Sequence, residues 1–166
     1  EPGASWKHLR DPKNYDFRPK PNSPLVDGGL LTTRRDLPSP DSNFTRMRYT
    51  GAAPDIGAYE HNSPYYWIPG RLEKTATMPI PKNRATEVPL DADLMFLHAY
   101  QCDQHEVYLG TRKDRLRKIK RFTHVQENLV DLPALRSDTT YYWRVDAIAK
   151  DGTRSSGSVW SFKTDD

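Results

Sequence analysis

Residues 140–149 read TYYWRVDAIA, and the alternation in them decides the fold. A strand places successive side chains on opposite faces. Tyr141, Trp143, Val145 and Ala147 therefore point into a core, and Tyr142, Arg144 and Asp146 point outward. Lys150-Asp151-Gly152 supplies a hairpin turn after it, and Ser158–Thr164 (SVWSFKT) returns as a closing strand. Upstream, four more short segments lie between turn residues: Asp93–Ala99 (DLMFLHA), His105–Leu109 (HEVYL) ended by Gly110, Leu116–Phe122 and Asn128–Leu132. With one strand near Met78–Ile80 they make seven. Short strands recurring at this spacing predict an all-β sandwich, and no stretch shows helical periodicity.

Several blocks in this order resemble the fibronectin type III family. Leu135, Thr139, Tyr141, Val145 and Ala147 match its pattern around the penultimate strand. Val88-Pro89-Leu90, Val107-Tyr108-Leu109-Gly110-Thr111 and Val159-Trp160-Ser161-Phe162-Lys163-Thr164 look like the modules of this type appended to secreted proteins. The resemblance covers about residues 81–166 and implies a structural corner at Tyr141, whose hydroxyl would bond upstream backbone. Trp143, inward by the same alternation, is expected as a structural core residue. No RGD tripeptide is present, so integrin binding is not implied.

Residues 1–61 carry a second resemblance. Asp16-Phe17-Arg18-Pro19, Ser23-Pro24-Leu25-Val26-Asp27-Gly28-Gly29 and Pro54-Asp55-Ile56-Gly57-Ala58-Tyr59-Glu60 look like the C-terminal end of secreted right-handed parallel β-helix proteins of the pectate-lyase-like superfamily. The expectation is a final coil and cap over 1–61, a linker over 62–80 rich in Pro, Gly and aromatics, and the sandwich over 81–166. One coil buries its apolar face only against neighbours, and about three repeats are needed for stability. The segment is therefore expected either to continue coils that precede Glu1 or to pack on another surface. The start, Glu1-Pro2-Gly3, reads as an internal one.

Composition bounds the function. In 166 residues, nine Tyr, five Phe and four Trp can anchor two small cores despite 14 Pro. No apolar run approaches the roughly 20 residues that cross a bilayer, so no membrane insertion is expected. The single cysteine, Cys102, excludes an internal disulfide and reads as a small residue of a loop or strand, or as half of an intermolecular bridge. Asn43-Phe44-Thr45 is a glycosylation sequon, which suits a secreted glycoprotein. The five histidines show no HxH or HExxH spacing, Asp91 and Asp93 sit in no complete calcium loop, and no G-x-S-x-G occurs. No metal, cofactor or catalytic residue is expected. The β-helix resemblance implies that Asp27 and Asp55 sit in closing turns, where an Asp carboxylate accepts backbone N–H groups.

The most pronounced feature is RKDRLRKIKR, residues 112–121, with a local charge of +6 in a chain of net charge +3. The remainder is thus −3, and the basic character is a patch. Strict alternation would put Arg115, Arg117 and Arg121 on one face, with Ile119 among them, and Lys118 and Lys120 on the other. Charge on both faces suits an edge strand guarded against unwanted pairing. The alternative is a site for anionic polysaccharide or an extracellular protein partner, formed by Arg112, Lys113, Arg115, Arg117, Lys118, Lys120 and Arg121. Nucleic acid is less suited, because no exposed aromatic platform accompanies the run. Tyr65-Tyr66-Trp67 reads as a joint between domains or as a sugar-stacking surface. The function expected is a non-catalytic, extracellular binding or structural module for carbohydrate binding or cell adhesion. The alternatives are the accessory tail of a polysaccharide lyase or hydrolase and a free-standing secreted signalling factor.

Overall fold

The computed structural model describes residues 6–30, 49–63, 66–125 and 127–166. Asn43 and Tyr65 lie outside the described residues. The chain divides into two compact units, residues 1–12 with 17–63, and residues 13–16 with 64–166. The molecule is all-β: helical turns are limited to two three-residue 3-10 segments, Trp6–His8 and Pro12–Asn14, among the described residues. No helix there is long and apolar enough to cross a membrane.

In the first unit, strand β1 (Leu9–Asp11) pairs with β2 (Asp16–Pro19). This is its one ladder among the described residues, and no stacked parallel coil appears among them. Phe17 stacks on Tyr59 at 6.5 Å, and Trp6 meets the Phe17 ring edge-on at 6.3 Å. Two segments distant in sequence are tied by backbone bonds, Gly29 N–H to the Pro54 carbonyl at 2.7 Å and Ile56 N–H to the Leu25 carbonyl at 2.8 Å. A Cβ at Gly29 would stand 2.5 Å from the Pro54 oxygen, so only glycine permits this approach.

The second unit is a β-sandwich of open sheets. One sheet runs β3 (Thr77–Ile80), β5 (Leu94–Leu97), β8 (Leu129–Val130). The other runs β4 (Ala85–Val88), β11 (Trp160–Thr164), β9 (Thr140–Ile148), β6 (Gln104–Gly110), β7 (Arg117–Phe122), with β10 (Arg154–Ser155) also pairing β9. β4 and β10 were not among the expected strands. Four and two residues are too few to show an alternation, and β4 lies parallel to β11 through a long-range pairing that no local pattern encodes.

The alternation of β9 fills the core. Trp143 and Val145 are fully buried, and Trp143 meets Trp160 edge-on at 4.7 Å. Val88, Leu94, Phe96, Val107, Phe122, Val130 and Phe162 complete the same cluster. Removing a side chain as large as Trp143 from such a core costs about 3–5 kcal/mol. At the sheet corner the Tyr141 hydroxyl accepts the Arg136 N–H at 3.0 Å, and the Tyr141 ring stacks on Phe162 at 5.4 Å.

β5 is buried at every position. Leu94 and Phe96 face the core, so alternation turns Met95 and Leu97 to the opposite side. Residues 66–73, expected as linker, lie against this strand's neighbourhood: Asn128 bonds both the Tyr66 backbone and the Phe96 carbonyl, Tyr100 N–H reaches the Glu73 carbonyl, and Gly70 abuts Leu97. Residues 13–16 belong to this unit too, where Lys13 pairs with Glu87 and Asn14 Nδ2 reaches the Thr86 carbonyl of β4 at 3.5 Å. β7, at the edge of the larger sheet away from β4, is exposed at every residue except Phe122.

Candidate functional site

The basic run folds into the β6–β7 hairpin. Arg115 N–H bonds the Arg112 carbonyl at 3.0 Å to form its loop, which closes over Gly110, where a Cβ would be 2.6 Å from the Arg115 oxygen. β7 pairs antiparallel with β6: Phe122 opposite His105, Arg121 opposite Glu106, Lys120 opposite Val107, Lys118 opposite Tyr108, Arg117 opposite Leu109. The register slips between Val107 and Tyr108, which leaves Ile119 as an extra residue on β7. Such a bulge breaks period-2 alternation.

The facial assignment expected for 112–121 is therefore corrected. Residues directly opposite in an antiparallel pair share a face. Arg117 and Lys120 lie on the face of Leu109 and Val107, which is the core side. Lys118 and Arg121 lie together on the outer face with Tyr108 and Glu106. Arg117 and Lys120 are nonetheless exposed, so the opposing sheet does not extend over them.

The outer-face cations are engaged. Glu106 is 2% exposed. It accepts Lys118 Nζ at 3.1 Å, Arg154 Nη1 at 2.7 Å and the Tyr108 hydroxyl at 2.7 Å, while Arg121 Nη1 stands 3.9 Å away and binds Gln104 through Nε at 3.0 Å. Directly across from Glu106, on β9, is Asp146. Asp146 was expected to face solvent, but it is 2% exposed. Its carboxylate takes Gly157 N–H, the Ser156 hydroxyl and Arg144 Nη2, each at 3.0–3.1 Å, and Arg154 Nη1 at 3.4 Å. Arg144 Nε also approaches Asp146 to 2.8 Å, but its N–H is misaimed, so Nη2 carries the hydrogen bond. The Arg144 guanidinium in turn covers the Tyr108 ring at 4.8 Å. Two buried carboxylates opposed across a ladder would repel, and Arg154 bridges them.

Hydrogen bonds from Arg154, Tyr108 and Lys118 hold the Glu106 carboxyl down at about 2. The same bond from Glu106 raises Arg154. Burial, with Glu106 beside it, raises Tyr108. This is an ion-pair network that fixes the sheet's outer surface, with every carboxylate oxygen occupied.

The remaining members of the run differ. Arg112 is tied to Asp114 in a two-pronged pair, Nε to Oδ1 at 3.1 Å and Nη2 to Oδ2 at 2.9 Å. Lys113, Arg115 and Arg117 are exposed and have no carboxylate partner among the described residues. Lys120 lies over the Phe122 ring at 5.6 Å. Of seven cations, four thus present charge to solvent unneutralised.

Cys102 and His105 form the other arrangement with chemical potential. Cys102 Sγ is 3.2 Å from His105 Nε2, but that nitrogen already accepts Ala99 N–H at 3.2 Å, and the thiol contacts the Ala99 carbonyl at 3.2 Å. Burial raises the thiol's pKa. Burial, and secondarily His98, push the His105 imidazole down to about 4. Both groups are neutral near pH 7, so no thiolate nucleophile is generated. Cys102 is buried with Ala99, Ala147 and Val125, which leaves a second chain's thiol no ready approach.

In the first unit Asp27 Oδ1 accepts Ala52 and Ala53 N–H at 2.8 and 3.1 Å. Asp55 accepts Asp27 N–H at 2.8 Å and His61 N–H at 2.5 Å, and Glu60 accepts Asp55 N–H at 2.9 Å and Thr50 N–H at 3.2 Å. These carboxylates hold turns. Among the described residues no three His, Cys, Asp or Glu side chains gather as a metal site. Glu106, Asp146 and Arg154 were not among the residues the sequence singled out for a site. The alternation that puts Glu106 and Asp146 on one face was legible, but Arg154 reaches them only by the return of β10 onto β9.

No protein-family model matches the chain, and no curated protein matches it. Among solved structures it is similar to an α-L-rhamnosidase from Streptomyces avermitilis, with 16% identity and a TM-score of 0.43 over 55% of this chain and 10% of that one. It is similar to an Fn3-like protein from Clostridium thermocellum, with 15% identity and a TM-score of 0.43 over 58% of this chain and 97% of that one. A β-1,2-glucanase from Parabacteroides distasonis aligns at 11% identity and a TM-score of 0.41, over 68% of this chain and 15% of that one. The chain thus spans a small part of each enzyme and nearly all of the Fn3-like protein. Likeness at this level does not assign it to a family.

Proposed function

We propose that the chain is a non-catalytic, extracellular binding module whose sandwich takes an anionic polysaccharide at the β6–β7 hairpin. The observation that carries this reading is the set Lys113, Arg115, Arg117 and Lys120, exposed cations on an open sheet edge without carboxylate partners among the described residues. The rest of the chain is net negative, so the positive field is concentrated at that edge. At physiological salt the Debye length is about 8 Å, which confines attraction to ligands in near contact and favours a polyanion that meets several charges at once.

The catalytic alternative is weakened by the carboxylates: those of Asp27, Asp55, Glu60, Glu106 and Asp146 are all occupied by backbone or cationic donors. The first unit is proposed as the closing coil and cap of a parallel β-helix, supported by the pairing of its motif segments around Gly29–Pro54 and Asp27–Ala52. Upstream coils bearing clustered acids and bases would instead make the chain the accessory tail of a polysaccharide lyase or hydrolase, which sequencing the gene upstream of Glu1 decides. Intact-mass measurement of native material tests secretion through glycan at Asn43.

Binding itself is tested by elution from immobilised heparin against a sulfonate cation exchanger of equal charge density. Later elution from heparin is expected. Equal salt at elution from both columns reduces the hairpin to a charge-guarded edge.

A further inference from the structure

We infer that the polyanion, a sulfated or carboxylated polysaccharide, is held by Lys113, Arg115, Arg117 and Lys120 on the hairpin loop and the core-side overhang of β7, while Lys118 and Arg121 on the outer face take no part. This rests on the polysaccharide-binding reading and adds to it which face of the strand is the site.

The bulge at Ile119 is what divides the cations. It turns Lys118 and Arg121 toward Glu106, where both approach a buried carboxylate and Arg121 also binds Gln104. To bind an external anion, these side chains would have to leave Glu106, whose desolvated charge then loses partners. Arg112 is likewise occupied by Asp114. Arg117 and Lys120 project from the core-side face beyond the cover of the smaller sheet, and Lys113 and Arg115 extend the same series along the hairpin loop. Arg117 and Lys120 stand opposite Leu109 and Val107, two ladder positions or about 7 Å apart at ~3.3 Å per residue. Two of the four cations are guanidinium groups that can fork onto anionic oxygens.

The bulge also selects the class of ligand. A peptide adding to the open edge of β7 would need an even register of backbone N–H and carbonyl groups, which the extra residue interrupts. A polysaccharide makes no such demand.

The test compares two double replacements that remove the same charge from the same strand. Arg117→Gln/Lys120→Gln alters the proposed face, and Lys118→Gln/Arg121→Gln alters the other. Binding of a fluorescent heparin oligosaccharide is measured by anisotropy between about 50 and 200 mM salt, and the slope of log K against log salt is read. Each cation withdrawn from the polyanion lowers that slope by about 1, so the first pair is expected to lower it by about 2 and the second to leave it unchanged. Urea midpoints should move in the reverse order, with the second pair destabilised through Glu106 and the first not. Should the second pair fail to fold, Arg121→Gln is compared with Arg117→Gln. Equal slope decreases from both pairs, or a decrease from the outer pair alone, overturn the facial assignment while leaving polyanion binding intact. No binding of the oligosaccharide by the native chain overturns both. A poly-aspartate peptide that binds more tightly than heparin overturns the choice of polysaccharide.

Discussion

Arg154→Met would remove the cation that stands between two buried carboxylates. Arg154 Nη1 touches Glu106 at 2.7 Å, the Tyr108 hydroxyl at 3.1 Å and Asp146 at 3.4 Å, and Glu106 and Asp146 face each other across the β6–β9 ladder. The Glu106 carboxyl sits at about 2, against 4.5 for an unperturbed group. At 1.36 kcal/mol per unit that gap sets a ceiling of about 3 kcal/mol. Its cationic partners are roughly half exposed, so solvent screening reduces the contribution to about 1–2 kcal/mol. The sign follows from a depressed folded value. The unfolded carboxyl binds its proton first as pH falls, so the stabilisation is complete above about pH 5 and is lost between 4.5 and 2. In the variant the folded value moves back up, and the two curves should converge in acid.

The assay is urea unfolding followed by the fluorescence of buried Trp143 and Trp160, at pH 7, 5 and 3. The expected deficit is about 1–2 kcal/mol at pH 7, or roughly 4–16 °C in melting temperature for a domain of about 100 residues. It should narrow clearly at pH 3, and Arg154→Lys should recover part of it. A deficit equal at all three pH values would show that Arg154 acts through packing of its stem, and no deficit at pH 7 would refute the bridging role altogether.

Tyr141→Phe should cost about 1 kcal/mol, since Arg136 N–H then loses its partly buried acceptor; an unchanged urea midpoint removes the corner bond from the account. His105, fully buried and held at about 4 against 6.5 unperturbed, is taken up as neutral imidazole, so its folded state loses up to about 3 kcal/mol relative to the unfolded chain as pH falls from about 6.5 to below 4. Its ring resonances should not titrate between pH 8 and 5.5 by NMR, and a midpoint near 6.5 would contradict the burial. Circular dichroism should show β-structure, with helix above about 15% incompatible with the fold.

Residues 140–149 made the sandwich readable because Tyr141, Trp143 and Val145 recur with period 2 on the core face of one nine-residue strand. The tyrosine corner and the turn carboxylates Asp27 and Asp55 came instead from the family resemblances, and the backbone partners those imply are present. Each bonds backbone, and a backbone N–H is supplied by whatever sequence surrounds it. Asp146 was placed on the outer face by alternation, but its burial and its pairing across from Glu106 were not legible, because what covers the two comes from Arg154, Ser156 and Gly157 on the returning chain. The basic run shows the same division most sharply. Its charge, exposure and edge position follow from composition alone: a segment carrying seven cations cannot be buried between sheets. Which cations neutralise Glu106 and which remain open was decided by one extra residue in a ladder, Ile119. A bulge is a property of two strands meeting in register, and neither strand's sequence states it alone.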